Sequence, residues 1–143
     1  MAGGQSAPVV VWSDEIFRTA HPAFRNYSVM FERRGGVVTL ASWGPNSYAR
    51  EGTGASVAAA DPALARLAGT YVDDDPWFAP AAVVERGGKL WIGTETPMEA
   101  VADNLWRIGR ESWSPERGSF ANFLDGRPQT FVFSGVKFSR RNV

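Results

Sequence analysis

The clearest catalytic pattern in the sequence is a serine followed three residues later by a lysine, in Ser134-Gly135-Val136-Lys137. A lysine can activate a serine nucleophile when both side chains lie on one face of a helix, one turn apart. Here the pattern falls in a terminal β-stretch, where positions three apart point to opposite faces. The sequence therefore predicts no serine nucleophile at this position.

Two other groups have the residue types for chemistry. His21 is the only histidine and precedes Pro22 in a loop, without the nucleophile elbow that accompanies many Ser-His-Asp arrangements. The run Asp73-Asp74-Asp75 is typical of a solvated turn before Pro76, since no further oxygen ligands for a hard cation follow at a set spacing. We therefore expect no catalytic residue, no metal site and no cofactor, and a hydrolase using His21 with a serine and an aspartate remains a third alternative.

Aromatic side chains are the candidates for binding. In a barrel of about eight strands, inward side chains either fill the lumen or line a cavity for one small ligand. Arg107 lies between Trp106 and Ile108, where it could anchor an anion, although such an arginine more often extends to the rim. The candidate ligand-binding residues are Trp77, Phe78, Trp91, Trp106, Arg107, Phe131 and Phe133.

Short strands must position these side chains. The central hairpin turns at Gly87-Gly88, between apolar arms at 81–86 and 89–93. Further strands end at Gly, Pro, Asn or Asp at an even spacing of about 8 to 12 residues, which is typical of barrels and sandwiches. The other predicted strands cover 9–12, 27–33, 37–43, 70–72, 98–102, 105–109, 116–124, 127–134 and 136–140.

One helix is predicted, with Asp61 as its N-cap, Pro62 at its first position and Gly69 near its end. Its role would be to lay Leu64 and Leu67 over one end of a sheet or barrel. A second helical start is predicted at 13–15, limited to about two turns by a proline. Residues 44–56 are expected to form a loop.

Composition narrows the class of protein. At 143 residues the chain is expected to be one domain, with a lead-in at 1–8 and a single β-barrel domain at 9–143. The formal net charge is zero, which argues against nucleic acid and anionic membranes as partners. No signal peptide or apolar span is recognised, so a cytoplasmic location is expected. The predicted fold is all-β: an antiparallel up-and-down barrel of about eight strands with one short helix.

A weak internal repeat relates two hairpins. Placing Arg34-Gly35-Gly36 over Arg86-Gly87-Gly88 also brings Val38 onto Leu90 and Leu40 onto Ile92. Many unrelated hairpins have similar turn residues and similar strand residues, so this similarity does not by itself indicate a duplicated segment.

The second half of the chain carries a resemblance to a known family. In order, the residues concerned are Leu67, Gly69, Tyr71, 74–78, 83–84, Arg86, 88–93, 105–109, 114–117, 125–128 and 131–138. This series resembles the small C-terminal β-barrel domain of class C β-lactamase-related serine hydrolases, which include penicillin-binding-protein-like esterases and aminopeptidases. The resemblance covers 67–141 and leaves 1–60 unexplained. It implies a lipocalin-like barrel that in longer relatives follows a catalytic domain, and that domain is absent from this chain.

Two functions follow as expectations. The first is a non-catalytic barrel module that packs against a partner, either a serine-hydrolase catalytic domain or a second copy, through an exposed patch at Trp77-Phe78. The alternative is a lipocalin-like carrier of one small apolar ligand in the barrel lumen. The resemblance concerns the fold, and it does not transfer an activity.

Overall fold

A computed structural model describes residues 6–141, and it is almost entirely β. Two antiparallel sheets follow one another along the chain, separated by one short helix. The first sheet consists of β1 Val9–Ser13, β2 Ile16–Thr19, β3 Val29–Arg34, β4 Val37–Trp43 and β5 Asn46–Ala49. The helix is α1 Pro62–Ala65, and the second sheet consists of β6 Gly69–Val72, β7 Ala81–Arg86, β8 Lys89–Ile92, β9 Thr96–Ala102, β10 Leu105–Ile108, β11 Arg117–Leu124, β12 Arg127–Phe133 and β13 Val136–Arg140.

The second sheet is a closed barrel of eight strands. Each strand pairs with its neighbour in sequence, and β13 closes the ring on β6 through Ser139 opposite Val72 and Arg140 opposite Tyr71. Closure leaves no barrel edge to pair with another chain. The predicted all-β fold, with an antiparallel up-and-down barrel of about eight strands and one short helix, is confirmed.

In an up-and-down barrel, successive connections between strands lie at opposite ends, so every second connection lies at the same end. The "loop end" holds the connections 73–80, 93–95, 109–116 and 134–135. The "helix end" holds the tight turns 87–88, 103–104 and 125–126, together with α1. The tight turns contain residues with positive φ, including Gly87 at 62° and Asn104 at 49°, which fits the preference of two-residue hairpins for Gly, Asn and Asp. The barrel therefore has one end with tight turns alone and one end at which three of the four connections are longer.

The apolar core lies inside the barrel. Lumen-facing side chains alternate along each strand with outward ones, and the buried set lies wholly within 67–138. Gly118 lets two elements meet, since a Cβ there would come within 2.9 Å of Ile108 and 3.0 Å of Phe131. The buried set is Leu67, Tyr71, Ala81, Val83, Leu90, Met98, Trp106, Ile108, Phe120, Phe131 and Phe138.

The helix caps the barrel as expected. The Asp61 side chain accepts a hydrogen bond from the Ala63 amide at 2.8 Å, which makes Asp61 the N-cap. Leu67 is buried in the core and Leu64 packs against it, so both leucines cover the helix end. The helix is shorter than predicted: it ends with Arg66 as its C-cap, and Gly69 already begins β6.

The first sheet corrects two sequence predictions. The helical start expected at 13–15 is wrong, because Glu15 adopts a φ of 60° in a turn that leads directly into β2. The ring of Phe17 then packs edge-on against Phe31 of β3, so tertiary packing outweighs the local capping signal. The loop expected at 44–56 contains a strand, β5, which pairs with β4 through residues 46–49.

The first sheet packs on the outer wall of the barrel through polar contacts. The Arg86 guanidinium donates to the carbonyls of Gly44 and Thr94, both at 2.7 Å. The Gly44 amide donates to the Thr94 hydroxyl at 2.9 Å, and that hydroxyl donates to the Ser28 carbonyl at 2.7 Å. Burial lowers the pKa of Arg86 to about 10, although the carboxylates of Glu32 and Glu95 oppose the shift. These contacts form a "polar junction" of Ser28, Gly44, Arg86 and Thr94.

The range 9–143, expected to be a single barrel domain, thus includes a five-stranded sheet outside the ring of barrel strands. Of the lead-in expected at 1–8, residues 6–8 have no regular structure, and the remainder lies outside the described residues. Within 6–141, no helix has the length and apolarity that a membrane crossing requires. The division of the chain into domains stays a prediction.

Candidate functional site: a cavity at the loop end of the barrel

The lumen of the barrel is filled in one part and open in another. Its middle holds a tight cluster of aromatic rings, with centroids 5.0 Å apart for Phe120 and Phe131 and 5.5 Å apart for Tyr71 and Phe131. Trp106 meets Phe120 edge-on at 5.1 Å on the side of the helix end. These buried rings occupy the middle of the barrel, so space for a ligand is expected above or below them.

A cavity of about 450 Å³ lies at the loop end, above this aromatic cluster. Its wall is almost wholly apolar, formed by the inward side chains of four strands, β7, β8, β12 and β13, and by the 73–80 loop. The principal wall residues are Phe78, Ala81, Ile92, Phe133, Val136 and Phe138. A concave apolar site of this size is typical of small-molecule pockets, which run from about 300 to 1,000 Å³.

Side-chain size explains why the space is there. At the loop end, β7 begins with Ala81, whose methyl group reaches only a short way into the lumen. Phe78 covers the space from the loop side, and its ring meets Phe138 edge-on at 6.1 Å. Phe133 stacks on Phe131 at 6.2 Å and thus joins the wall to the filled region beneath. The cavity is therefore the space that the small side chain of Ala81 leaves between the larger side chains around it.

The rim of the cavity carries one polar pair. The Ser134 hydroxyl donates a hydrogen bond to the carboxylate of Glu116, and both residues line the cavity. The Ser134 amide donates to the Arg117 carbonyl at 2.8 Å, which fixes the turn beside the loop. The Arg117 guanidinium donates instead to main-chain carbonyls, those of Ser114 at 2.7 Å and Glu116 at 3.0 Å. The hydroxyl therefore holds the carboxylate at the mouth.

The structure brings together part of the predicted ligand-binding set. Phe78 and Phe133 line the cavity, and Phe131 lies directly below Phe133 in the filled lumen. Trp106 also points inward but lies toward the other end, where it lines a groove of about 480 Å³ beside Leu64. The loop-end cavity thus collects two of the predicted aromatic residues and rests on a third.

The other predicted residues lie outside the lumen. Trp77 is 90% exposed in the 73–80 loop. Trp91 faces the outer wall, where the Arg86 guanidinium lies 4.2 Å above its ring. Arg107 also faces outward and pairs with Glu99 on β9, while its Nε has no hydrogen-bond partner among the described residues. None of the three contributes to the cavity wall.

Sequence reasoning missed several residues of the wall. Ile92 lies two residues after the buried Leu90 and so shares its face of β8. On β13, Phe138 lies opposite the buried Phe131 and Val136 lies opposite Phe133. Strict alternation within each strand contains this information: Leu90 inward requires Ile92 inward and Trp91 outward. The pairing of Glu116 with Ser134 gave no sequence signal, because it joins two separate connections 18 residues apart.

The chemical candidates of the sequence occupy separate places. Ser134 lies in the turn between β12 and β13 with a φ of 47°, and no helix carries it. His21 is buried between β2 and β3, where its Nδ1 accepts from the Ala23 amide at 3.2 Å. The aspartates at 73–75 form capped turns, since Asp73 accepts from the Asp75 amide and Asp75 from the Trp77 amide. Across residues 6–141, no cluster of three metal-ligating side chains occurs.

Tyr71 is the one core residue with an ionisable group held in a defined network. Its hydroxyl donates to the Leu67 carbonyl at 2.7 Å and accepts from Arg140 at 2.8 Å. Burial raises the pKa of Tyr71 to about 12, and the charge and hydrogen bond of Arg140 only partly offset this. The phenol is therefore neutral at physiological pH and fastens β6 to β13 from inside the barrel.

No protein family, no curated protein and no solved structure matches this chain. The resemblance to the accessory barrel of class C β-lactamase-related serine hydrolases therefore stays a prediction. The site must be interpreted from its own geometry, which is an apolar cavity with one carboxylate at its rim.

Proposed function

We propose that this protein binds one small apolar molecule in the loop-end cavity. The observation that supports the proposal is the cavity itself: about 450 Å³ of space, open to solvent at the loop end of the barrel and walled by aromatic and aliphatic side chains. Apolar side chains of this kind gain free energy when a ligand displaces water from between them. The proposal is one of binding without catalysis, because the sequence candidates for catalysis lie on separate elements.

The filled middle of the lumen supports a short ligand over a long one. Phe131 is fully buried beneath the cavity, so a ligand that enters at the loop end meets a rigid aromatic floor. Binding should then strengthen with ligand length only until the floor is reached. Each methylene buried contributes about 0.8 kcal/mol, or roughly fourfold in Kd, before the costs of association.

The test is calorimetric titration with butanol, hexanol, octanol and dodecanol. We expect affinity to rise by about fourfold per methylene and then level off. Val136→Trp should abolish binding, because an indole at this position occupies the cavity. Lys137→Trp is the matched control: it adds the same ring at the next position of β13, which faces outward, and should bind the alcohols normally. Equal binding by both variants would contradict the proposal.

A second candidate function is docking on a partner. Trp77 and Trp113 are 90% and 76% exposed, and both lie in connections of the loop end. Exposed tryptophans are common anchors in protein interfaces. The partner would be a serine-hydrolase catalytic domain, as the resemblance implies, or a second copy of the chain. Light scattering across a concentration series tests the second copy: dimers should form, and a Trp77→Ser, Trp113→Ser double variant should stay monomeric.

A further inference from the structure

We infer that the molecule bound at the loop end carries a cationic head, an amine or ammonium group, on an apolar body. This inference rests on the proposed function, since it names the chemical class of the ligand in the same cavity. It follows from which hydrogen-bonding groups the rim leaves free and from the charge of the loops around it.

The rim can accept hydrogen bonds from a ligand head but has little to donate. An ionised carboxylate has only acceptor sites, and Glu116 supplies two oxygens at the mouth. Ser134 has a single hydroxyl proton, and that proton already points to Glu116. A ligand head that donates finds a partner here, whereas a carboxylate head would meet another acceptor of the same charge.

Charge at the loop end favours the same head. Arg110 is the basic residue of these connections, and it turns toward the first sheet, where it contacts the sulfur of Met30 at 3.1 Å. Among the acidic residues, Glu95 faces the first sheet through Ser28. The acidic residues of the four connections are Asp73, Asp74, Asp75, Glu95, Glu111 and Glu116. Six acidic residues against one basic residue give the four connections a net negative charge, which favours cations over anions.

The nearest basic residues of the described strands form no ion pair with the Glu116 carboxylate. The Arg117 guanidinium keeps its charge, but its hydrogen bonds go to the carbonyls of Ser114 and Glu116 and not to a carboxylate. Lys137 follows Val136, which faces the cavity, so the alternation of the strand places Lys137 on the outer wall. In residues 6–141, the ion pairs join Arg33 to Glu15 and Arg107 to Glu99, and neither involves the Glu116 carboxylate.

Aromatic rings at the opening add a further preference. Phe78 lines the cavity and remains partly exposed at its rim. The face of a phenyl ring attracts an ammonium group, most strongly where water is excluded. An amine head can therefore contact Glu116 on one side and the ring of Phe78 on the other, while its apolar body lies against Ile92 and Phe133.

The test compares three ligands with the same eight-carbon body: octylammonium, octanol and octanoate. At low salt we expect octylammonium to bind about twofold to fivefold more tightly than octanol, the effect of one exposed ion pair, and octanoate to bind more weakly than octanol. High salt should reduce these differences, because it screens exposed charges.

Glu116→Gln is the informative variant, with Glu111→Gln as its matched control on the same connection. Glu116→Gln should reduce the preference for octylammonium over octanol to near unity and leave octanol binding unchanged. Glu111→Gln should keep most of the preference, since Glu111 does not line the cavity.

The outcomes separate the two proposals. Equal binding of all three ligands, or tightest binding of octanoate, overturns the cationic head and leaves apolar binding in place. A preference that both variants reduce equally also overturns the assignment to Glu116. Failure of all three ligands to bind overturns the proposed function together with this inference.

Discussion

The same type of hairpin leads to different environments in the two regions of the molecule. The hairpin of β3 and β4 turns at Gly35-Gly36, and the hairpin of β7 and β8 turns at Gly87-Gly88. Val38 and Leu40 of the first hairpin are half-buried, whereas Leu90 of the second is 1% exposed. The barrel surrounds its hairpin with six further strands, and the first sheet stays open. Similar local sequence therefore yields a core only where the ring closes.

The two regions also differ in what they bury. Among residues 6–49, Met30 is the one buried hydrophobic side chain, beside the buried polar residues His21, Ser28, Thr39 and Ser42. The barrel buries a continuous apolar cluster of its own. Apolar burial is the main favourable contribution to folding, so the barrel should be self-sufficient and the first sheet should depend on the polar junction.

Cutting the chain between the regions should give the largest effect. A fragment of residues 57–143 contains α1 and the whole barrel and should unfold cooperatively in urea. A fragment of residues 1–56 should lack dispersed amide resonances, because it buries too little apolar surface to offset its chain entropy. Cooperative unfolding of the isolated 1–56 fragment would contradict the dependence of the first sheet on the barrel.

Phe131→Ala should have the next largest effect, a loss of about 3–5 kcal/mol in the free energy of unfolding. Phe131 is fully buried and contacts the rings of Tyr71, Phe120 and Phe133, so its removal leaves a cavity in the barrel core. Phe123→Ala is the control, since Phe123 is 51% exposed on the neighbouring strand. Urea unfolding followed by tryptophan fluorescence measures both, and similar losses would contradict the assignment of the core.

Thr94→Val should have a smaller and more local effect. It removes the hydroxyl that accepts from the Gly44 amide and donates to the Ser28 carbonyl, so two buried main-chain groups lose their partner. The expected loss is about 1–3 kcal/mol. Hydrogen exchange should accelerate in β3 to β5 and change little in β11 to β13. Thr96→Val is the control, because Thr96 takes no part in the polar junction, and uniform acceleration in both sheets would contradict a separate role for the junction.

The smallest predicted effect is a loss of stability that appears only at high pH and depends on Tyr71. The pKa of Tyr71 is about 12 in the folded protein, above the ordinary value of about 10. The folded state thus keeps a proton that the unfolded state releases, and stability should fall as the pH rises from about 10 toward 12. Arg86, with its pKa lowered to about 10, acts in the opposite direction.

A comparison with Tyr71→Phe isolates the tyrosine, because both proteins retain Arg86. The difference in the free energy of unfolding between wild type and Tyr71→Phe should be constant below pH 10 and decrease above it. Urea titrations at a series of pH values measure this difference. A difference that stays constant to pH 12 would show that Tyr71 does not keep its proton in the fold.

Sequence reasoning worked best where structure is local. Turn residues such as Gly87-Gly88 and Asp125-Gly126 mark hairpins directly, and the N-cap role of Asp61 depends only on its neighbours. The strand β2 was missed because Ser13-Asp14-Glu15 carries a strong helix-start signal, which the contact of Phe17 with Phe31 outweighs. Short polar β5 has no hydrophobic alternation, and its pairing with β4 defines it.

The candidate site was predictable in kind but not in detail. An aromatic-rich barrel predicts a lumen that is filled or hollow, and Phe78 and Phe133 were among the residues expected there. Trp91 and Arg107 were also expected to bind a ligand, but the alternation of side chains along β8 and β10 turns both of them outward. The pairing of Ser134 with Glu116 depends on two connections meeting in space, and no local pattern predicts it.

The seam between β6 and β13 has a consequence for the order of events during synthesis. Arg140 meets the Tyr71 hydroxyl across 69 residues of chain and also donates to the carbonyls of Ala68 and Pro128. The ring cannot close until this arginine has left the ribosome, whereas Arg86 and Thr94 emerge much earlier. The first sheet can therefore settle on the β7–β8 hairpin while the barrel is still an open ribbon. Because long-range contacts form slowly, closure of the seam should be the last step of folding.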